Sequence, residues 1–364
     1  MIEKYLNGLE IKKDELTSLE RSQLLAKGKE VDRILCCIDS GETLAPMLGF
    51  TLPEYYFSAE KMCAVEEYIH KRFGSDGAGL STTLRGMAEA MGSKIKYMDY
   101  NIAQLEKPAI SSLDEIYKLK LVDVDKDGRL PVILEGLRMV KEKLGKEVPV
   151  SATVTGPFTV AAMVVGTENL LKGMIKTPAK VQELMEIIVE NNNRYIQRVL
   201  DLEVGIGFAD PMSSTSLLRV KQYQKFSLPY FQKNVDYIKK QGGGCGLHIC
   251  GTSRKLWDDL INTGIGCFGP DNVESMKEAK EILGPHMAIQ GNIPPVEVLR
   301  MGTPQDVLKA SLKCIREAYD SPCGFTLTSG CQTPMGTPEE NLQALMDAAR
   351  IFGRYPINND FLED

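Results

Sequence analysis

Gly242-Gly243-Gly244-Cys245-Gly246-Leu247-His248-Ile249-Cys250-Gly251 decides how this chain folds and where its chemistry sits. Small and apolar residues lead into the stretch, a glycine ends it, and a helical pattern begins near Arg254. It therefore reads as a short buried strand followed by a turn. On a strand, residues two apart share a face. His248 and Cys250 then project side by side at the strand's end, an imidazole beside a thiol, which is a pair of soft metal ligands. Cys331 is the best third ligand. It ends Phe325-Thr326-Leu327-Thr328-Ser329-Gly330-Cys331, another strand-like run, with Thr333-Pro334 just beyond it. The two cysteines lie 81 positions apart in the sequence, so only the fold brings them together. Set against this, a free cysteine is commonly a small buried apolar residue and nothing more.

The same strand-then-turn unit recurs along the chain. Pro149 to Pro157, Gly205 to Pro211, Gly264 to Phe268 and Met287 to Asn292 are short apolar runs, each followed by turn residues. Helical periodicity predicts helices over about 131–144, 178–202, 219–240, 253–262, 275–283, 304–319 and 338–351. With the His248 and Cys331 runs, six strands follow residue 148, and one or two more precede residue 100, the first at Ile34-Leu35-Cys36-Cys37-Ile38. Alternating strands and helices argue for a parallel sheet. The count fits a (β/α)8 barrel better than an open sheet, and no Gly-x-Gly-x-x-Gly follows the first strand to support a dinucleotide fold. The chain reads as a single barrel domain over 1–364, with 1–32 a helical N-terminal extension. A helix is expected over 59–72, a hairpin edge near 91–98, and a charged peripheral segment over 104–130. Thr155, Asp210, His248, Cys250, Asp271, Asn292 and Cys331 all fall at the C-terminal ends of predicted strands, the face that carries the chemistry in such barrels. Asp210 and Asn292 also precede Pro211 and Pro294, where turn and capping duty suits them equally.

Composition narrows the function. Of 364 residues 43% are hydrophobic and 25% charged, as in ordinary globular proteins, and the formal net charge of -6 argues against a nucleic-acid partner. Nine cysteines, an odd number with several inside apolar runs, suggest reduced thiols and a cytoplasmic location. Residues 1–25 carry no apolar signal core, and no apolar run approaches a membrane span.

The residues reached so far resemble a known family. His248-Ile249-Cys250-Gly251 with Cys331 in Ser329-Gly330-Cys331-Gln332-Thr333-Pro334 is similar to the His-x-Cys…Cys zinc signature of cobamide-dependent methyltransferases, within the uroporphyrinogen decarboxylase superfamily. Thr155-Gly156-Pro157-Phe158-Thr159, Ala209-Asp210-Pro211, Gly291-Asn292 and Thr337-Pro338-Glu339-Glu340-Asn341 resemble its other blocks. The resemblance is strongest from about 128 to 350. It implies a (β/α)8 barrel, zinc bound by His248, Cys250 and Cys331, and methyl transfer to or from a corrinoid (methylcobalamin) presented by a partner protein. The small-molecule partner would be a thiol such as coenzyme M, or a donor such as a methoxylated aromatic, a methylamine or a methyl halide. It further implies a fourth zinc position taken in the empty enzyme by Glu274, by Asp271 or by water, with Glu274 preferred, Asp210 orienting a substrate or a group behind the metal ligands, and Thr155 and Asn292 contacting the substrate. Glu274 and Asp271 equally suit the start of a helix, where acids are common. True uroporphyrinogen decarboxylases use arginines near the N-terminus to hold a tetrapyrrole with many carboxylates. Here the segment after the first strand, Asp39 to Leu44, is acidic and has none. Decarboxylation is thus the alternative activity, and a non-catalytic zinc- or corrinoid-binding protein the alternative class. Trp257, Cys245 and Cys267 read as packing residues.

Overall fold

The structure, a computed structural model, describes residues 11–362. Eight strands form one sheet: β1 Leu35–Cys36, β2 Ala78–Ser81, β5 Val150–Thr155, β6 Gly205–Ala209, β7 Cys245–Ile249, β8 Cys267–Pro270, β9 Ala288–Ile293 and β10 Phe325–Ser329. Their order is β1-β10-β9-β8-β7-β6-β5-β2, and every ladder in it is parallel. The two ends of the sheet meet where Asp76 N–H donates to the Cys36 carbonyl at 2.9 Å and Ile38 N–H to Ser75 Oγ at 3.1 Å. The architecture is that of a (β/α)8 barrel. Six of the eight strands follow residue 148, as the sequence pattern predicts. β1 is reduced to two residues, and β2 lies in the glycine-rich stretch after Gly74.

Each helix turns one apolar stripe inward. In Leu130–Leu144 the buried positions include Leu130, Ile133, Leu134, Leu137, Val140 and Leu144, the spacing of a single helix face. At roughly 25 cal/mol per Å2 of apolar surface buried, such stripes packed on the sheet are a main source of stability. The long helix expected near 178–202 runs Pro178–Asp201. The helix expected over 219–240 is broken into Val220–Phe226 and Leu228–Lys240, because Pro229 has no amide hydrogen to continue the first and is well placed in the opening turn of the second. The segment expected helical over 253–262 becomes a tight turn, Arg254–Leu256, followed by Trp257–Thr263. Lys94–Met98 (β3) and Asn101–Lys107 (β4) pair antiparallel beside the barrel, matching the expected hairpin.

Of the N-terminal segment, residues 1–10 lie outside the described residues. Within 11–32 one helix forms, Ser18–Leu25, started by a capping box between Thr17 and Glu20. It is tied to the barrel by buried ion pairs: Arg21 to Asp32 (2.6 Å) and Asp76 (2.7 Å), and Arg33 to Asp14 (2.7 Å) and Asp76. Because Asp76 leads into β2, these pairs lie away from the C-terminal mouth. Removing one partner of such a buried network costs on the order of 3–5 kcal/mol.

Candidate metal and substrate site

His248 is the fourth residue of β7, in register with Ala209 on β6 and Gly269 on β8. Its Nδ1 lies 2.8 Å from the Gly269 carbonyl oxygen. A carbonyl only accepts, so Nδ1 carries the hydrogen and Nε2 presents its lone pair. That Nε2 lies 3.2 Å from Cys250 Sγ, and Cys250 Sγ lies 3.5 Å from Cys331 Sγ. Among the described residues, these three ligand atoms all fall within 4.8 Å of one another and form the group able to hold a metal ion. The sulfurs are too far apart for a disulfide, and both cysteines are free. Cys331 reaches the pair because residue 330 is glycine: a Cβ there would come 2.5 Å from Asn272 N. The close approach of the β10 and β8 loops therefore requires it.

The donor set fits zinc. Bonds of about 2.0–2.3 Å at tetrahedral angles put ligand atoms roughly 3.5–3.8 Å apart, close to the spacings seen. The donated Nδ1–H is the bond that fixes the ring of a metal-ligating histidine. The electrostatics of the empty site ready one of the three donors and leave the other two to be deprotonated by an incoming ion. The Cys250 thiol donates to Cys331 and His248 stands beside it, so Cys331 is held down to about 4 in spite of burial. That thiolate, with burial, pushes Cys250 well up. His248 is raised despite burial, through its contact with Cys331. One sulfur is thus already in the form a metal needs.

The other expected site residues fall around this centre with duties of their own. Asp210 is buried, and its Oδ1 accepts from Thr159 N at 2.9 Å and Thr159 Oγ1 at 2.6 Å. Its backbone N–H donates to the His248 carbonyl at 3.0 Å, so it braces the strand end that carries the imidazole. Burial raises its carboxyl above the usual range against those hydrogen bonds. The Thr155 hydroxyl donates to the Thr83 carbonyl at 2.6 Å and meets Thr82 Oγ1 at 3.1 Å. The Asn292 amide donates to the carbonyls of Asp271 (3.0 Å) and Glu274 (2.8 Å), fixing the loop after β8.

Glu274, expected as a fourth ligand, has a backbone duty of its own. Its Oε1 accepts from the amides of Ser253 and, at 2.9 Å, Arg254, and the group of donors within 4.8 Å of one another is His248, Cys250 and Cys331. Free N–H groups and partial positive charge at the start of a helix draw it there. Asp271 is likewise occupied, accepting from Gly251 N at 2.8 Å and Val273 N at 3.2 Å, and so holds the turn that follows Cys250. Trp257 is fully buried, with its indole N–H on Ser253 Oγ, as a packing residue should be.

Asp39 was not among the expected residues. It sits just past β1, open to solvent inside the mouth yet crowded by protein. Burial, then the Cys331 charge, push its carboxyl up to about 7. Its signal in sequence is the one that marked the others, a polar residue directly after a strand.

A family model for uroporphyrinogen decarboxylase (URO-D) matches residues 17–352. The chain belongs to the uroporphyrinogen decarboxylase family. Within it, the chain is 30% identical over 346 residues to the methylcobamide:CoM methyltransferase MtbA of Methanosarcina acetivorans, covering 93% of this chain and 99% of that one. It is 24% identical over 347 residues to a methylated-thiol–coenzyme M methyltransferase of Methanosarcina mazei, covering 92% and 90%. A solved methyltransferase structure from Methanosarcina mazei superposes with a TM-score of 0.82 at 25% identity, covering 92% of this chain and 98% of that one. This member of the uroporphyrinogen decarboxylase family is an enzyme of the methyl-transferring kind. Among the described residues, no single helix is long and apolar enough to cross a membrane.

Proposed function

We propose that this enzyme transfers a methyl group from a corrinoid, carried by a partner protein, to a small thiol such as coenzyme M, with zinc held by His248, Cys250 and Cys331. The observation that carries the reading is the convergence of one imidazole and two sulfurs at the barrel mouth, within 4.8 Å. The names of the relatives that align over nearly the whole chain support the direction of transfer. Zinc bound there supplies a Lewis acid that keeps a substrate sulfur as thiolate near neutral pH.

The chain's own residues do the rest. Cys250 and Cys331, as thiolates, cancel the charge of a divalent ion and leave a bound sulfur rich in electrons. His248 is fixed by Gly269, Asp271 holds the turn beyond Cys250, and Asp210 ties Thr159 to the His248 peptide. These contacts keep the donors in place while the methyl group moves. A methylated corrinoid brought to the mouth would supply an electrophilic methyl group to the bound sulfur. The corrinoid would keep the bonding pair as the methyl group leaves, and the thiol proton would go to solvent. Around the mouth, the loops after β6, β8 and β9 expose Leu217, Val273, Val296 and Met301. Exposed apolar side chains on this rim suit a partner that brings its corrinoid face to the opening.

A decarboxylase reading finds no support near β1. Arg33, the arginine just before it, is fully buried in ion pairs with Asp14 and Asp76. The test is to mix methylated corrinoid protein, or free methylcobalamin, with the enzyme and a thiol and to follow the cobalt spectrum. Loss of the methyl-cobalt band with formation of the methyl thioether is expected. Coproporphyrinogen formation from uroporphyrinogen, without demethylation, contradicts the proposal.

A further inference from the structure

The inner wall of the barrel is built from small residues. On β5, β6, β7 and β8 the outward side chains Ala152, Val154, Phe208, Leu247 and Phe268 are buried beneath the helices. The alternate positions turn inward. Gly79 on β2, Gly205 and Gly207 on β6, and Gly246 on β7 bring no side chain to that face. Ser151 and Thr153 on β5, Cys267 on β8, Gln290 on β9 and Thr326 on β10 share it. The geometry agrees. A Cβ on Gly205 would lie 3.7 Å from Ser151 Cβ, one on Gly207 would lie 4.0 Å from Thr153 Oγ1, and one on Gly246 would lie 3.4 Å from Cys267 Cβ. Cys267 Sγ in turn lies 3.7 Å from Gln290 Oε1.

Eight-stranded barrels are ordinarily filled by layers of bulky branched side chains. Glycine, serine and threonine are too small to fill that volume. Thr153, Gly207, Gly246, Cys267, Gln290 and Thr326 are accordingly only half-buried. Ser151 and Gly205, at the N-terminal ends of their strands, are exposed. Helices cover these strands from outside, so the inward residues meet solvent from within the barrel. Accessible surface continues up the wall to His248, which is half-buried and follows Gly246 on the same face of β7. The wall offers hydroxyls, an amide and a thiol, and none of these inward side chains below His248 is charged. Thr328, the inward position after Thr326, has a buried hydroxyl with no hydrogen-bond partner among the described residues. A roomy polar cavity holds water, whereas an apolar one stays dry. Water is also what a buried hydroxyl without a protein partner calls for.

We propose that the barrel encloses a water-filled shaft running from its N-terminal end to the underside of the metal donors, and that this shaft carries off the thiol proton while a corrinoid covers the mouth. The proton route rests on the thiol-methylating function proposed above; the shaft does not. In each turnover the sulfur–hydrogen bond breaks and its electron pair stays on sulfur, which uses it to bond the methyl carbon. The pair of the broken bond to the methyl group remains with the corrinoid. The proton passes to water. With the C-terminal opening covered, it leaves through waters bound to Thr153, Gln290 and Thr326.

Two measurements test this. The first is a high-resolution crystal structure of the zinc-loaded protein, with and without xenon pressure. A row of ordered waters on Thr153, Gln290, Thr326 and Thr328 supports the shaft. Xenon in their place, or an interior closed by side chains, overturns it. The second uses Gly207→Leu, which fills the shaft midway, and Gly207→Ser, which adds only a hydroxyl. A Cβ on residue 207 has Thr153 Oγ1 at 4.0 Å as its nearest neighbour, so the barrel has room for both. Transfer from methylcobalamin to 2-mercaptoethanesulfonate is timed in H2O and in D2O. Gly207→Leu should keep its zinc and its KM for the thiol, lose about tenfold or more in kcat, and slow further in D2O than wild type does. Gly207→Ser should behave as wild type. If Gly207→Leu does not fold, Thr153→Val, which keeps the shape and removes the hydroxyl, carries the same expectation. A plugged variant with the wild-type rate, or one slowed without any added effect of D2O, overturns the proton route. If no thiol is methylated, the route fails together with the proposed function, and the crystal waters alone decide the shaft.

Discussion

His248 Nε2 and Cys250 Sγ stand 3.2 Å apart because the two residues share one face at the end of β7, and the other ring nitrogen is spent on the Gly269 carbonyl. The imidazole cannot turn away without losing that bond. The donor pair is therefore organised before any ion arrives, which lowers the cost of binding one.

Metal content should follow these side chains. Purified wild-type protein is expected to hold one zinc ion per chain. Cys250→Ala and Cys331→Ala should each weaken retention, and the double variant should hold none after dialysis against a mild chelator. Elemental analysis reads the result. Full occupancy in the double variant means that the metal sits elsewhere.

Gly156→Ala should destabilise the barrel. A Cβ on residue 156 would lie 2.2 Å from Asp210 Cγ, although φ there is −61°, which any residue adopts. The cost is steric, about 1–3 kcal/mol by analogy with other overpacked cores. Urea unfolding measures it, and an unchanged midpoint would show that helix Pro157–Val165 can move aside freely.

Most of this was legible in the chain because strand ends are. Six strands after residue 148, and the His248-x-Cys250 pair with Cys331, followed from apolar runs, period-two alternation and glycine turns. What was not legible depended on contacts between loops far apart in sequence. Glu274 reads as a metal ligand or a helix-start acid; only the fold shows it on the Ser253 and Arg254 amides. Arg129 and Tyr56 are 73 residues apart, and the guanidinium lies 4.8 Å from the ring centroid, which no local pattern reveals. Thr155 and Asn292 were expected at the substrate, but their hydroxyl and amide hydrogens are spent on neighbouring carbonyls.

Asp210→Asn should fold and turn over slowly. Asn keeps one oxygen to accept from Thr159, so the melting temperature should shift by only a few degrees. The methyl-transfer rate should drop by about tenfold or more, in kcat rather than KM, as the negative charge held by Thr159 beside the His248 strand end is lost. A variant that unfolds, with its folded fraction fully active, would make Asp210 a structural cap.

Glu66 gives the fold a pH dependence. It is 1% exposed, and burial pushes its carboxyl up to about 7, against hydrogen bonds from Gly79 N–H and Ser40 Oγ. A group raised in the folded state contributes fully below its unfolded value of 4.5 and loses that contribution as pH climbs toward 7. Glu66→Gln does not titrate. Its melting temperature relative to wild type should therefore rise across that window, by an amount worth at most roughly 3 kcal/mol. A constant difference from acid to neutral pH would show that Glu66 ionises normally.

The most direct test of the account is methyl transfer by the metal-stripped enzyme. The chain is treated with a chelator and dialysed, methylcobalamin and 2-mercaptoethanesulfonate are supplied, and the fall of the methyl-cobalt absorbance is timed before and after zinc is returned. The account predicts loss of transfer in the stripped enzyme, recovery on adding zinc to wild type, and no recovery in Cys250→Ala, Cys331→Ala. Transfer at the full rate by stripped enzyme would contradict it, because the three donors at the barrel mouth would then have no part in the reaction.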